Sequence, residues 1–329
     1  MPVAGSSGSY DFTLTRDNII DLAHQHIGLT AEGVGSSAAQ ITDGAKLLNM
    51  IVKLRAADGM PLWALKRGAI LPFTGASSIN TNSHVVTTYR NTTTSAAAVS
   101  GATTIVVTSA TGISASDQIG VEQSGAMQWT TVSGAPAGTT VTLATALTAA
   151  VASGANVYVY TASTDRVQRP LRVLEADILT ISGSTSYPID IVGRQDYFYL
   201  GSRTTASIPN QVYYDPALGT NVADPTTATT WYGTLYVYPR FTDGKKLIEF
   251  TYHRPFQDFD ATGDDPDFPQ EFYLPVMLEL AALLGPKAGV PIEERKALFT
   301  EAKMYREEAL ATIYPEGSLR IVPDRARMY

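Results

Sequence analysis

Ile19, Ile20, Ala23 and Ile27 recur at helical spacing and draw one apolar stripe between Thr15 and Gly28. Thr15 is the expected N-cap, and Asp17 lies in the first turn, where a negative charge meets the positive end of the helix dipole. A second stripe, Ile41, Ala45, Leu48 and Val52, follows the capping-box string Ser37-Ala38-Ala39-Gln40. It runs to Asp58-Gly59, with Pro61 beyond as a barrier and Trp63 expected to seal the helical packing. A third stripe, Tyr273, Met277, Leu280 and Leu284, starts near Pro269 or after Pro275, and Gly285-Pro286 is expected to end it. A fourth begins at Pro291 beside Glu293 and Glu294 and passes through Leu298, Ala302, Tyr305 and Ala309 to Ile313, about 35 Å of helix.

Between these ends the period changes from helical to alternating. Thr104–Val107, Gln128–Val132, Thr139–Leu143 and Asn156–Tyr160 are short strand runs separated by turn residues. Gln211–Tyr214, Leu235–Tyr238 and Leu247–Tyr252 form a second, aromatic set. The expected fold class is α+β: a helical bundle formed by the N- and C-terminal helices, a central β region, and an inserted small β-sandwich or barrel module. The expected boundaries are 1–69 for the N-terminal hairpin and 70–90 with 165–258 for the central β region. The Thr-rich insertion spans 91–164, the C-terminal helices 259–314, and an extended arm 315–329.

At 329 residues with 44% apolar and 17% charged residues, the chain is too apolar for disorder. A net charge of −7 argues against sequence-independent nucleic-acid binding over the whole surface. The absence of cysteine excludes a disulfide framework and thiolate chemistry. The longest apolar run, Leu274–Leu284, contains Glu279 and is far shorter than the ~20 residues of a spanning helix. The N-terminus lacks a basic region followed by an apolar one, so the chain is expected to be soluble and made in a cytoplasm.

Few motifs carry chemistry. His24 and His26 are two apart, which points them to different helix faces rather than to one metal. Asp258–Asp267 resembles the start of a calcium loop, but Thr262 and Pro269 occupy positions that need a ligand. The favoured reading is an acidic loop that caps the third helix through Asp267. Glu293/Glu294 and Glu307/Glu308 are adjacent on a helix and diverge. No catalytic, cofactor-binding or metal residue is expected, and no cofactor.

The tail is different. Leu319, Arg320, Ile321, Arg325, Arg327 and Tyr329 interleave Arg with apolar groups, and Pro315, Gly317 and Pro323 forbid a helix. A disordered end and a partner-ordered arm both fit that composition.

Several strings together resemble the head-to-tail adaptor (tail accessory, or packaged-DNA-stabilisation) proteins of short-tailed bacteriophages. They include Ile19–Ala23, Ala45–Lys53, Ala57–Trp63, Arg169–Ala176, Arg194–Phe198, Pro209–Pro216, Leu235–Pro239, Phe250–Asp260 and Asp267–Glu271. The resemblance implies a structural virion protein at the head–tail junction, not an enzyme. It implies a homo-oligomeric ring, usually a dodecamer, under the portal protein, with tail or nozzle proteins below. DNA would pass the lumen without specific binding, and the arm 315–329 would reach the portal. The insertion 91–164 departs from the shortest members. Its Thr-rich strands, and the aromatics of the wider β zone (Trp129, Trp231, Tyr236, Tyr238), leave a carbohydrate-binding or adhesin-type virion protein as the alternative, with core packing preferred for Tyr236 and Tyr238. A wall-degrading enzyme is a third class.

Overall fold

A computed structural model describes residues 12–57, 64–74, 77–81, 83–181, 185–216 and 233–313. The chain is mixed α/β and divides into two compact units, Met1–Ala64 with Phe256–Tyr329, and Leu65–Pro255.

The first unit is helical. In α1 (Arg16–His26) the Thr15 side chain accepts from Asn18 N, and Gly28 takes a left-handed φ of +70° that stops the chain, as expected. Ile19, Ile20 and Ala23 are fully buried. α2 (Ala38–Ala57) begins with the reciprocal cap read from the sequence. Ser37 N donates to Gln40 Oε1 at 2.7 Å, and Gln40 N donates to Ser37 Oγ at 3.4 Å. Trp63 lies outside the described residues.

α4 (Tyr273–Ala288) follows a 3₁₀ turn at Gln270–Phe272. It does not stop at Gly285-Pro286: the helix passes through both and ends at Gly289, left-handed at φ +74°. Pro286 has no N–H for the Ala282 carbonyl, and Arg295 Nε donates to that oxygen instead at 3.2 Å. Gly285 makes room for this, since a Cβ there would lie 2.9 Å from Arg295 Cγ. Val290 N then donates to Gly285 O and Gly289 N to Pro286 O, closing the helix end.

α5 (Ile292–Ile313) starts one residue after Pro291 and buries Leu298, Ala302 and Ala309. Tyr305, expected in the same stripe, is 36% exposed. Residues of α1, α2, α4 and α5 share one apolar core with Phe256 and Phe259. Glu279, buried in α4, crosses that core: it receives Arg55 Nη2 at 2.7 Å and Nε at 3.0 Å, and Arg306 Nη1 at 3.3 Å.

In the second unit the first strand, β1 (Leu65–Ile70), starts five residues earlier than the expected boundary. An eight-stranded, nearly closed, barrel-like sheet is built from β1, β2 (Ser78–Asn80), β3 (Val85–Val86), β10 (Arg172–Thr180), β11 (Thr185–Ile191), β12 (Gln211–Asp215), β13 (Thr234–Tyr238) and β14 (Lys246–His253). Its order is β2-β13-β12-β11-β10-β14-β1-β3. Among the described strand pairs only β11–β12 is parallel, because the short α3 (Arg194–Phe198) and the loop after it lie between those strands. Val212, Leu235, Val237, Ile248, Phe250 and Tyr252 fill the interior. Gly68 sits opposite Phe250, whose ring lies across the missing side chain.

Residues 90–160 add a four-stranded sheet, β4 (Arg90–Thr93), β9 (Asn156–Tyr160), β6 (Gln118–Gln123) and β7 (Ala126–Thr131), in that order. A two-stranded sheet pairs β5 (Thr104–Val106) with β8 (Thr140–Thr142). The two sheets share a core of Val, Ile and Leu that includes Ile105, Ile119, Val141 and Val157. A separate seam of Met127, Tyr158 and Tyr160 with Ala69, Leu71, Val86 and Leu247 fastens this segment to the barrel-like sheet.

Candidate docking surface

The arm residues Leu319, Arg320, Ile321, Arg325, Arg327 and Tyr329 lie outside the described residues, as does Trp231. The other sequence-picked groups are engaged in the fold. His24 is buried with Nδ1 2.7 Å from Ser36 Oγ, while His26 is exposed on another face. Burial lowers the His24 pKa, outweighing the nearby Asp21. Asp267 does not cap the third helix. It accepts Gln257 N at 3.0 Å, and the 3₁₀ turn opens on Pro269 without a side-chain cap. In the same loop Asp264 accepts from Asp260 N and Ala261 N, both at 2.6 Å, and Asp258 pairs with Lys53 at 2.7 Å. Asp264 and Asp267 close the loop on its own backbone and Asp258 ties it to α2, and no group of three acidic or histidine side chains placed to hold a metal occurs among the described residues.

An exposed surface forms instead around α3. β11 lies inside the sheet order, between β10 and β12, yet almost all of its residues are exposed. Tyr187 is 61% exposed, and Ile191 is exposed too. The chain then enters α3, which Tyr197 anchors. That ring is buried at 5.2 Å from Tyr236 and 5.9 Å from Tyr213, and Tyr213 stacks on Tyr236 across the β12–β13 register at 5.4 Å. Burial raises the Tyr197 and Tyr213 phenol pKa values, so both rings are neutral near pH 7.

On this platform Phe198 stands edge-on to Tyr213 and Tyr236 and is half exposed. Arg203 Cζ lies 4.9 Å from its ring centre and Arg194 Cζ 5.8 Å. Each such contact is worth about 0.5–1 kcal/mol at an exposed site. Both guanidiniums are exposed, and neither has an ion pair among the described residues. With Gln195 and the 82%-exposed Tyr199, Arg194 and Phe198 line a shallow cavity of about 480 Å³. Exposed Tyr, Phe and Arg held by a rigid base are the residue types that anchor protein interfaces. These side chains suit the surface to binding.

In the sequence, Arg194–Phe198 stands out only through the resemblance, Tyr213 as part of a strand run, and Tyr236 as part of a strand run and as a candidate sugar-stacking ring; Tyr199 and Arg203 carry no signal there. Tyr236 and Tyr238, expected in the core, are half-buried; Leu235 and Val237 alternate with them and take the interior places. The period of two carried this signal, since any strand with Leu and Val inward must turn both tyrosines outward.

Trp129 is no free platform for a sugar ring. Its ring stacks on His84 at 4.2 Å, covers Gly120, and donates Nε1–H to Pro72 O at 3.0 Å. His84 is buried between Phe73 and Trp129 at the seam, in a left-handed conformation (φ +49°), with Tyr160 Oη 3.3 Å from Nδ1. Burial, then the charge of Arg166, pushes its pKa down to about 4.

No family model matches this chain, and no curated protein matches it.

Proposed function

We propose that the chain is a structural head-to-tail adaptor of a short-tailed phage virion, forming a ring under the portal that joins the DNA-filled head to the tail. In this reading the terminal helices act as one bundle in the ring wall, and the arm 315–329 reaches the portal. Tail or nozzle proteins dock below, and DNA passes a lumen whose acidic walls repel it. The observation that carries a docking rather than a catalytic role is the α3 surface. It presents Phe198, Tyr199, Arg194 and Arg203 outward on a buried tyrosine base. Meanwhile the buried carboxylates are spent inside the fold, Glu279 on two arginines and Asp117 on Ser114 N and the Thr161 hydroxyl. Such a protein has its place in the virion, having been made in the host cytoplasm.

Electron microscopy of the full chain mixed with the purified portal protein tests this. The expected result is a ring on the portal, lost when residues 316–329 are deleted and kept by the double change Arg194→Ala/Arg203→Ala, whose loss falls on docking of the tail component below. Portal particles that never acquire density from the intact chain would overturn the reading.

A further inference from the structure

Exposed aromatic groups scattered over a surface need no explanation. Those of α3 differ in being held in place and flanked by cations. Tyr197, Tyr213 and Tyr236 pack as a base, and Phe198 stands on it. Arg203 and Arg194 both lie against that one ring, with Cζ 4.9 and 5.8 Å from its centre. Neither has an ion pair among the described residues, although the chain carries 31 acidic side chains. Asp196, the acidic residue of α3 itself, is two positions from Arg194 and two from Phe198, so it projects to another side of the helix.

We infer that the α3 surface docks a short acidic segment of the tail component, one that carries an aromatic or long aliphatic side chain between carboxylates. The apolar side chain lies in the cavity of about 480 Å³ beside Phe198 and Tyr199, and a carboxylate meets each guanidinium. Assigning that segment to the tail component rests on the adaptor reading; its chemistry rests on the α3 geometry.

A guanidinium is a planar fork whose paired N–H groups match the two oxygens of a carboxylate. Held against a ring, each arginine has given up part of its freedom before a partner arrives, so less is lost on docking. A neutral or basic partner would cover both charges and leave them unpaired, which is costly. Phosphate also fits the fork, which makes a nucleic-acid strand the rival occupant. The balance of charge disfavours it. Residues 185–210 hold Asp190 and Asp196, both exposed, against Arg194 and Arg203, a net charge of zero in a chain that carries −7. A polyanion draws its affinity from many phosphates neutralised together. A segment with a carboxylate on each side of one apolar group needs only the two cations present.

Short random peptides displayed on messenger RNA are selected on the full chain and, in parallel, on Arg194→Gln/Arg203→Gln. Both positions are exposed, so the double variant is expected to unfold at the native denaturant midpoint. Sequences selected on the native chain alone are expected to carry Asp or Glu on both sides of an aromatic or long aliphatic residue. Synthetic copies should bind the double variant about tenfold or more weakly, and Tyr199→Ala about threefold or more weakly. Changing their Asp and Glu to Asn and Gln should weaken binding to the native chain as much, with little further effect on the double variant. Selected sequences without an acidic excess, sequences that hold both forms alike, or no peptide that separates the two forms overturns the inference. An oligothymidylate bound more tightly than any selected peptide, and released by the arginine changes, assigns the surface to a nucleic-acid strand instead. Any of these results beside a ring on the portal leaves the adaptor reading standing and the docking chemistry wrong. Acidic peptides that need the arginines, from a chain that never joins the portal, do the reverse.

Discussion

The terminal helices and the segment 91–164 handle charge in opposite ways. The helices are laced with it. Lys296–Glu293, Lys303–Glu307 and Lys287–Asp43 pair on their surfaces, and Glu279 bridges α2, α4 and α5 from within. The segment 91–164 has no charged surface and is held by apolar side chains, hydroxyl-to-backbone bonds and two buried carboxylates. Helices projecting long side chains can place ion pairs at a spacing of three or four. Short Thr- and Ser-rich strands with tight loops instead use hydroxyls to satisfy their own carbonyls. The two regions should therefore fail by different routes.

The largest effect is expected at Glu279. Replacing it with alanine removes the carboxylate that Arg55 and Arg306, both more than two-thirds buried, share beside an apolar core. Breaking such a group by removing one member costs about 3–5 kcal/mol. Urea unfolding followed by helical circular dichroism measures it. The triple change Glu279→Leu/Arg55→Met/Arg306→Met should recover most of the loss, because the three charges of the cluster leave together. A triple variant as unstable as Glu279→Ala would show that packing rather than charge sets the cost.

The second effect belongs to the seam. His84 has a folded pKa of about 4 against an unfolded value of 6.5, so the unfolded chain binds more protons between those limits. Stability is full above pH 6.5, falls as pH drops towards 4, and levels below. The total loss is about 3 kcal/mol. The groups facing the imidazole are the rings of Phe73 and Trp129, the Tyr160 hydroxyl and the Arg166 charge. Tryptophan fluorescence during unfolding at several pH values reads this, and His84→Phe should flatten the slope in that window. An unchanged slope would move the acid sensitivity to other groups.

These contrasts also mark what was legible beforehand. Caps at Thr15 and Ser37 were readable because the residues that make them are three apart in the chain. The passage of α4 through Gly285-Pro286 was not, because the donor that replaces the missing N–H sits on the next helix. The strand runs of 104–160 announced themselves by turn spacing, whereas their fastening to the barrel-like sheet depends on Tyr158 and Tyr160 reaching Leu71 and Leu247, far away in sequence. The α3 surface was hidden for a similar reason. Tyr197, Tyr213 and Tyr236 come from three elements, and only their packing makes Phe198 and its arginines a raised site.

A third, smaller effect compares single hydrogen-bonding side chains in the two regions. Ser37→Ala removes one half of an exposed cap and should cost about 1 kcal/mol. Thr94 is buried and bonds twice, donating to Ala152 O at 2.6 Å and accepting Ala155 N at 3.0 Å. Thr94→Val keeps the shape, loses both bonds and should cost about 1–3 kcal/mol. Denaturant midpoints for the two variants, read by helical circular dichroism and by tryptophan fluorescence, give the order. A reversed order would mean that hydroxyl bonds do not carry the strand-built region.

The smallest effect is the response to salt. The exposed helix pairs contribute tenths of a kcal/mol each, and raising ionic strength from about 0.01 to 1 M shortens the screening length from about 30 to 3 Å. Amides of α5 between Glu293 and Glu307 should therefore exchange faster at high salt, by less than about threefold. Amides of β5, β6, β8 and β9 should keep their rates, because Asp117 and Glu122 are buried and held by short internal bonds, and the one charge at the edge of that body, Arg90, reaches Asp117 only at 3.8 Å. Residue-resolved hydrogen exchange of the intact chain at constant pH makes the comparison within one sample. Equal acceleration in both regions would mean that the added ions act on the backbone at large. The difference in surface charge would then play no part in how the two regions are held.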